Sequence, residues 1–116
     1  MKCIIAGSRS ITDYGPVVAG VEASGFADKI TEVVCGGAPG VDRNGQRWAE
    51  EHGIEIAEFA PDWSTYGKAA GPFRNEAMAK YADALVLVWD GKSKGSADML
   101  RQAKKHGLKV YQHIVN

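Results

Sequence analysis

Ala84-Leu85-Val86-Leu87-Val88-Trp89 runs directly into Asp90-Gly91-Lys92-Ser93-Lys94-Gly95-Ser96. Six consecutive apolar residues without polar alternation suit a strand covered on both faces, as in a parallel sheet held between two layers of helices. The glycine-rich stretch that follows reads as a strand-to-helix turn, since Ala97, Leu100 and Ala103 then recur at helical spacing. The same order repeats towards both ends of the chain. Lys2 to Ala6 is a short apolar run ending at Gly7, Glu32 to Cys35 ends at Gly36-Gly37, and Ile54 to Phe59 and Leu108 to Ile114 alternate as less buried strands should. Between them, helices are marked by Val17, Val18 and Val21, by Val41, Gly45, Trp48, Ala49 and His52, and by Phe73, Ala77 and Tyr81 after Pro72 in a first turn. The expectation is an α/β fold: one Rossmann-like, three-layer domain over residues 1–116 with a mostly parallel five-stranded sheet and right-handed crossovers.

Two helix endings match. Glu51-His52-Gly53-Ile54 and Lys105-His106-Gly107-Leu108 each read as a helix stopped by glycine and followed by a strand. His52 and His106 are therefore expected at helix C-termini, where the dipole favours them, and not in catalysis.

Composition removes several classes of function. Fourteen Lys and Arg balance fourteen Asp and Glu, so no overall field draws the chain to nucleic acid or to a membrane surface. No apolar run approaches the roughly 20 residues of a membrane span, and the short N-terminal apolar stretch does not read as a signal peptide. A cytoplasmic protein is expected. Cys3 and Cys35 fall in strands and read as buried thiols; with scattered histidines they give no metal-ligand spacing, and no metal or cofactor is expected.

In such a fold the ligand crevice lies beyond the carboxyl ends of the strands. The unusual residues collect there: Gly7, Ser8 and Arg9 after the first strand, then Gly36, Gly37, Gly40 and Asp42 after the second. Trp63, Lys68, Gly71, Arg74 and Asn75 follow the third, and Asp90, Ser93, Gly95 and Ser96 the fourth. Glycines let backbone approach an anion, and helix N-termini point free amides at it. Arg9, Lys68 and Arg74 can add charge-assisted contacts to a phosphate, and Trp63 or Tyr66 offers a face to a base. Standard motifs fail: Gly36 to Gly40 is not the dinucleotide fingerprint, and Val86 stands where a P-loop needs its leading glycine. Gly91-Lys92-Ser93-Lys94-Gly95 fits the G-x-S-x-G elbow, but the acid and histidine that a hydrolase triad needs are not supplied by later loops.

Gly7-Ser8-Arg9, Gly36 to Asp42, Trp63 with Tyr66-Gly67-Lys68, Ala70 to Asn75 and Ser93 to Ser96 together resemble the YspA-type branch of the SLOG superfamily. That superfamily includes the DprA/Smf proteins and the LOG phosphoribohydrolases, and this branch is common in bacteria and phages. The resemblance implies a nucleotide-derived ligand and a homo-oligomer. LOG enzymes release a base from a nucleoside monophosphate with an arginine and with the glutamate of G-G-x-G-T-x-x-E. Arg74 resembles that arginine and Gly95-Ser96 the Gly-Thr pair, but the glutamate position falls on Met99. Asp98 is one residue early, about 100° around the helix, and is expected to point elsewhere. Hydrolysis would then rest on Asp42 or Asp90 with Arg74, because an acid must stabilise positive charge building on the ribose.

Three functions are expected in order: binding of a ribose-phosphate ligand, N-glycosidic hydrolysis, and single-stranded DNA binding. The last is placed lowest, and nucleic acid is not an expected partner. The clearest basic cluster, Arg101, Lys104, Lys105 and Lys109, sits where a helix C-terminus already accounts for it.

Overall fold

The computed structural model describes residues 1–116. Five strands, β1 (Lys2–Gly7), β2 (Glu32–Cys35), β3 (Glu55–Glu58), β4 (Ala84–Trp89) and β5 (Lys109–Ile114), form one sheet. Their order is β3-β2-β1-β4-β5 and every pairing is parallel. The expected α/β architecture is therefore present, and the sheet is wholly parallel. Five helices accompany it: α1 (Gly15–Ser24), α2 (Val41–Glu51), the single turn α3 (Trp63–Tyr66), α4 (Ala70–Tyr81) and α5 (Lys94–Lys105). Helices α1 and α2 cover one face of the sheet, α4 and α5 the other.

Side-chain alternation divides the core. Cys3 and Ile5 of β1 and Ala84, Val86 and Val88 of β4 join Val17, Val21, Val41 and Trp48 on the α1/α2 face. Ile4, Ala6, Leu85, Leu87 and Trp89 join Met78, Met99 and Ala103 on the α4/α5 face. All six residues of β4 are buried. That is the physical content of its unbroken apolar run, because both of its faces meet helices.

At the edges no residue is fully buried: in β3 only Ile56 and Ala57 are half-buried, and in β5 only Val110, Tyr111 and His113. Strand β3 spans Glu55–Glu58 and β5 starts at Lys109, each slightly shorter than the alternating pattern suggests, as fraying edges are. His52 and His106 occupy helix C-caps, followed by Gly53 and Gly107 with φ of 65° and 73°. Cys3 and Cys35 are buried free thiols.

The segment after β3 departs from the expected loop. Asp62 caps α3, its Oδ1 accepting from the Thr65 amide at 3.1 Å and from the Ser64 hydroxyl at 2.9 Å. A 3-10 turn, Gly67–Ala69, then leads into α4, which begins at Ala70, ahead of Pro72.

The strand order reverses at β1, from which the chain runs outward to β2 and β3 and later returns to add β4 and β5. Such a switch point opens a crevice between the two loops that leave it. Here β1 and β4 run so close that a Cβ on Gly7 would stand 1.7 Å from the Val88 carbonyl oxygen. The Ser8 amide donates to that same oxygen at 3.2 Å. Gly7→Ala should cost about 3 kcal/mol or prevent folding, whereas Gly15→Ala, with nothing within 4 Å, should change stability by about 0.5 kcal/mol at most. Urea denaturation of both variants measures the difference, and equal midpoints would contradict the close approach.

Candidate functional site

A cavity of about 610 Å³ opens beyond the carboxyl ends of the strands, within the usual size of a small-molecule site. Each strand-to-helix connection on that edge contributes to its wall: Gly7 to Arg9, Ala38 with Asp42, Trp63 with Lys68, and Ser93 to Ser96. From the two helices of the α4/α5 face come Gly71, Arg74, Asn75, Asp98 and Arg101. Gly36, Gly37, Gly40 and Asp90, the remaining residues singled out in the sequence, lie off this wall.

Charge is distributed unevenly. Arg9, Lys68, Arg74, Lys94 and Arg101 line the cavity against two carboxylates, Asp42 and Asp98. A chain neutral overall thus places a net positive surface around one concavity, which attracts and holds anions.

The Gly36–Gly40 turn works inward. Asp42, in the first turn of α2 and 4% exposed, accepts at Oδ2 from the amides of Gly36 at 3.2 Å and Ala38 at 3.4 Å. The Gly36 carbonyl accepts from Arg74 Nη1 at 2.8 Å. Two of the turn's amides, those of Gly36 and Ala38, are therefore engaged by Asp42, and the turn serves to hold Asp42 and Arg74. A Cβ on Gly36 would stand 2.0 Å from Arg74 Nη1, so a larger residue there would push the guanidinium from this position.

Arg74 is half-buried and also donates from Nε to Asn75 Oδ1 at 3.0 Å. It forms no direct salt bridge with Asp42. Nη2 has no protein acceptor, which leaves part of the guanidinium fork for an oxyanion. Burial pushes the Arg74 guanidinium below its ordinary value, against the pull of Asp42. Burial likewise raises the Asp42 carboxyl, while Arg74 and the amides of Ala38, Gly36 and Gly7 oppose the rise.

The second turn is arranged differently. Asp90 Oδ1 accepts from the amides of Lys92 at 2.8 Å and Ser93 at 2.9 Å, which hold its carboxyl below the usual carboxylate range. Asp90 thus shapes the loop and is turned away from the cavity. Ser93, the α5 N-cap, makes no side-chain cap bond, so the first amides of α5 stay free at the cavity wall. Ser8, 1% exposed, ties the two crevice loops together: its Oγ lies 3.3 Å from Ser93 Oγ and accepts from the Asp90 amide at 3.2 Å.

Asp98 is where the structure corrects the sequence. It is 8% exposed and lies on the cavity wall, where Asn75 Nδ2 donates to its Oδ2 at 2.9 Å and Arg101 pairs with its Oδ1. Helix α5 begins at Lys94, so Gly95, Asp98 and Arg101 form one i, i+3 row facing the cavity. Met99, 1% exposed, packs in the α4/α5 core and also reaches the cavity wall. That spacing was present in the sequence and is the signal that could have found Asp98 and Arg101.

The model of the YspA, cpYpsA-related SLOG family matches residues 1–66. No curated protein matches the chain. Among solved structures, the chain is similar to the X-ray structure of DNA processing protein A (DprA) from Streptococcus pneumoniae, with a TM-score of 0.70 and 18% identity. The match covers 96% of this chain and 49% of that one, so the chain spans about half the length of the protein it resembles. At that identity the likeness establishes the fold. No helix is long and apolar enough to cross a membrane. With a DNA-processing protein as structural neighbour, the expectation against nucleic acid gains no support.

The raised Asp42 carboxyl has a thermodynamic consequence. Its folded value lies above that of the unfolded chain, about 3.9, so between the two the native state holds a proton that the unfolded chain has lost. Stability from this group is present below that window and lost as pH rises through it. The stability of the wild type relative to Asp42→Asn, measured by urea denaturation, should therefore decline as pH rises from about 4 towards neutrality. A pH-independent difference would contradict the burial assigned to this carboxyl.

Proposed function

Because the chain belongs to the YspA, cpYpsA-related SLOG family, we propose that it binds a nucleotide-derived ligand by its ribose phosphate. The observation that carries this reading is the concentration of five cationic side chains around one cavity at the switch point of a neutral chain. The phosphate would sit at the free amides of α5, with Arg74 Nη2 and the flexible Arg9, Lys68 and Lys94 completing its shell. Trp63, 51% exposed at the rim, would stack on the base. The same reading makes the protein cytoplasmic and homo-oligomeric, with exposed Tyr66 and Phe73 as the apolar surface that a second copy would cover.

Binding ranks above hydrolysis because the nearby carboxylates all have partners. Asp42 holds two amides, Asp90 shapes its own loop, and Asp98 is held by Asn75 and Arg101. N-glycosidic hydrolysis is the second reading, favoured by one observation: Asp42 is buried on the cavity wall with its carboxyl raised, a state suited to proton transfer. Single-stranded DNA binding stays third. The cavity is one concavity lined by single cations, without the repeated aromatic platforms of a strand-binding groove.

Thermal melting with nucleoside monophosphates, ADP-ribose, NAD and cyclic nucleotides, each followed by chromatography, tests the order. A ligand at about 100 times its dissociation constant should stabilise the fold by ~2.7 kcal/mol, a rise of roughly 10 °C, and be recovered intact. Arg74→Ala should weaken that binding about 10- to 100-fold. Free base in the mixture, abolished by Asp42→Asn, would establish the enzyme instead. No shift and no product across the panel would contradict both.

A further inference from the structure

Phosphate binding leaves one cavity group without a purpose. Asp42 holds the Gly36–Ala38 backbone and faces Arg74, but Asp98 holds no loop and stands beside the proposed phosphate seat. A carboxylate in that place opposes an anion. Its partners take one acceptor site on each oxygen and hold it on the cavity wall.

An ionised carboxylate accepts about four hydrogen bonds, two at each oxygen, and donates none. Asn75 takes one site at Oδ2 and Arg101 one at Oδ1. One site on each oxygen is left, side by side. Asn75 is itself fixed, because Oδ1 accepts from Arg74 Nε while Nδ2 also reaches the Gly95 carbonyl at 3.3 Å. The orientation of Asp98 is thus tied, through one amide, to the arginine of the phosphate seat.

Resting on the nucleotide reading above, we propose that Asp98 accepts the 2′- and 3′-hydroxyls of the ligand's ribose and selects ribonucleotides over 2′-deoxyribonucleotides. Two adjacent acceptor sites match a vicinal diol, which presents two adjacent O–H donors. The position matches as well. Asp98 lies three residues beyond Gly95 in α5, about 4.5 Å along the helix axis, and a nucleotide's sugar follows directly on its phosphate. The base would lie farther along, towards Trp63. A deoxyribose would leave one oriented acceptor of a buried carboxylate unpaired, and an unmet buried acceptor is costly.

The test is calorimetric titration of the wild type with the four common ribonucleoside 5′-monophosphates and their 2′-deoxy counterparts, followed by Asp98→Asn and Asp98→Ser. The tightest ribonucleotide should bind about tenfold or more tighter than its 2′-deoxy form. Asp98→Asn should remove that preference by weakening the ribonucleotide alone. Equal affinity of the two series for the wild type would overturn the proposal, as would a variant that weakens both series alike. The wild-type comparison stands without any variant, and Asp98→Ser replaces Asp98→Asn if the latter melts early. If no member of either series binds the wild type, the diol assignment is overturned, and the nucleotide reading falls with it only if ADP-ribose, NAD and the cyclic nucleotides also fail to bind. Binding without discrimination overturns the diol assignment alone.

Discussion

The Arg74 guanidinium is held against the Gly36 backbone, within the field of a carboxylate that has itself been taken out of water. Burial works against both charges, so the arrangement persists only because hydrogen bonds satisfy each group. Gly36 and Ala38 amides meet Asp42, while the Gly36 carbonyl and Asn75 meet Arg74. The result is an arginine whose free edge is aimed before any ligand arrives, which lowers the ordering cost of binding. Asn75 passes the same constraint to Asp98 and so joins α4 to α5 across the cavity.

The two glycine-rich turns, alike in composition, have divided the work. The turn after β2 spends its amides on Asp42 and so becomes a support for Arg74. The turn after β4 has its own aspartate, Asp90, folded back on Lys92 and Ser93, which leaves the α5 N-terminus open. What separates them is where the aspartate sits. Asp42 lies inside the helix and reaches back to the turn before it, whereas Asp90 precedes its turn and closes it from outside. The close approach of β1 to β4 at Gly7 and Val88 sets the crevice between the second turn and Ser8.

The layered architecture was legible because apolar periodicity is a direct record of burial. The unbroken run of β4 and the alternation in β3 and β5 correspond to central and edge positions in the sheet. Glycine after His52 and His106 marked true helix ends. The turn α3 was missed because four residues carry no period; its sign was the capping aspartate, Asp62. In the site, Ser8 lies in a strand-end loop as expected from its position, whereas Arg74 and Asn75 stand within helix α4 on the same cavity wall. Asp98 was misplaced because a motif's register, carried over from similar sequences, was allowed to outweigh the i, i+3 row that Asp98 makes with Gly95 and Arg101. The inward-facing role of Gly36 to Gly40 rests on two short-range bonds to Asp42 and on one from Arg74, 38 positions away, which no local pattern encodes.

The proposed anion seat is the α5 N-terminus facing Arg74, at the crevice between β1 and β4. Amide chemical-shift mapping of the protein titrated with ribose 5-phosphate tests it without assuming a base. The largest perturbations should fall at the amides of Lys94, Gly95 and Ser96, together with the Arg74 side-chain signal, and small ones at Gly36 and Ala38. Perturbations centred on Gly36 to Gly40, or on surfaces away from this crevice, would contradict it.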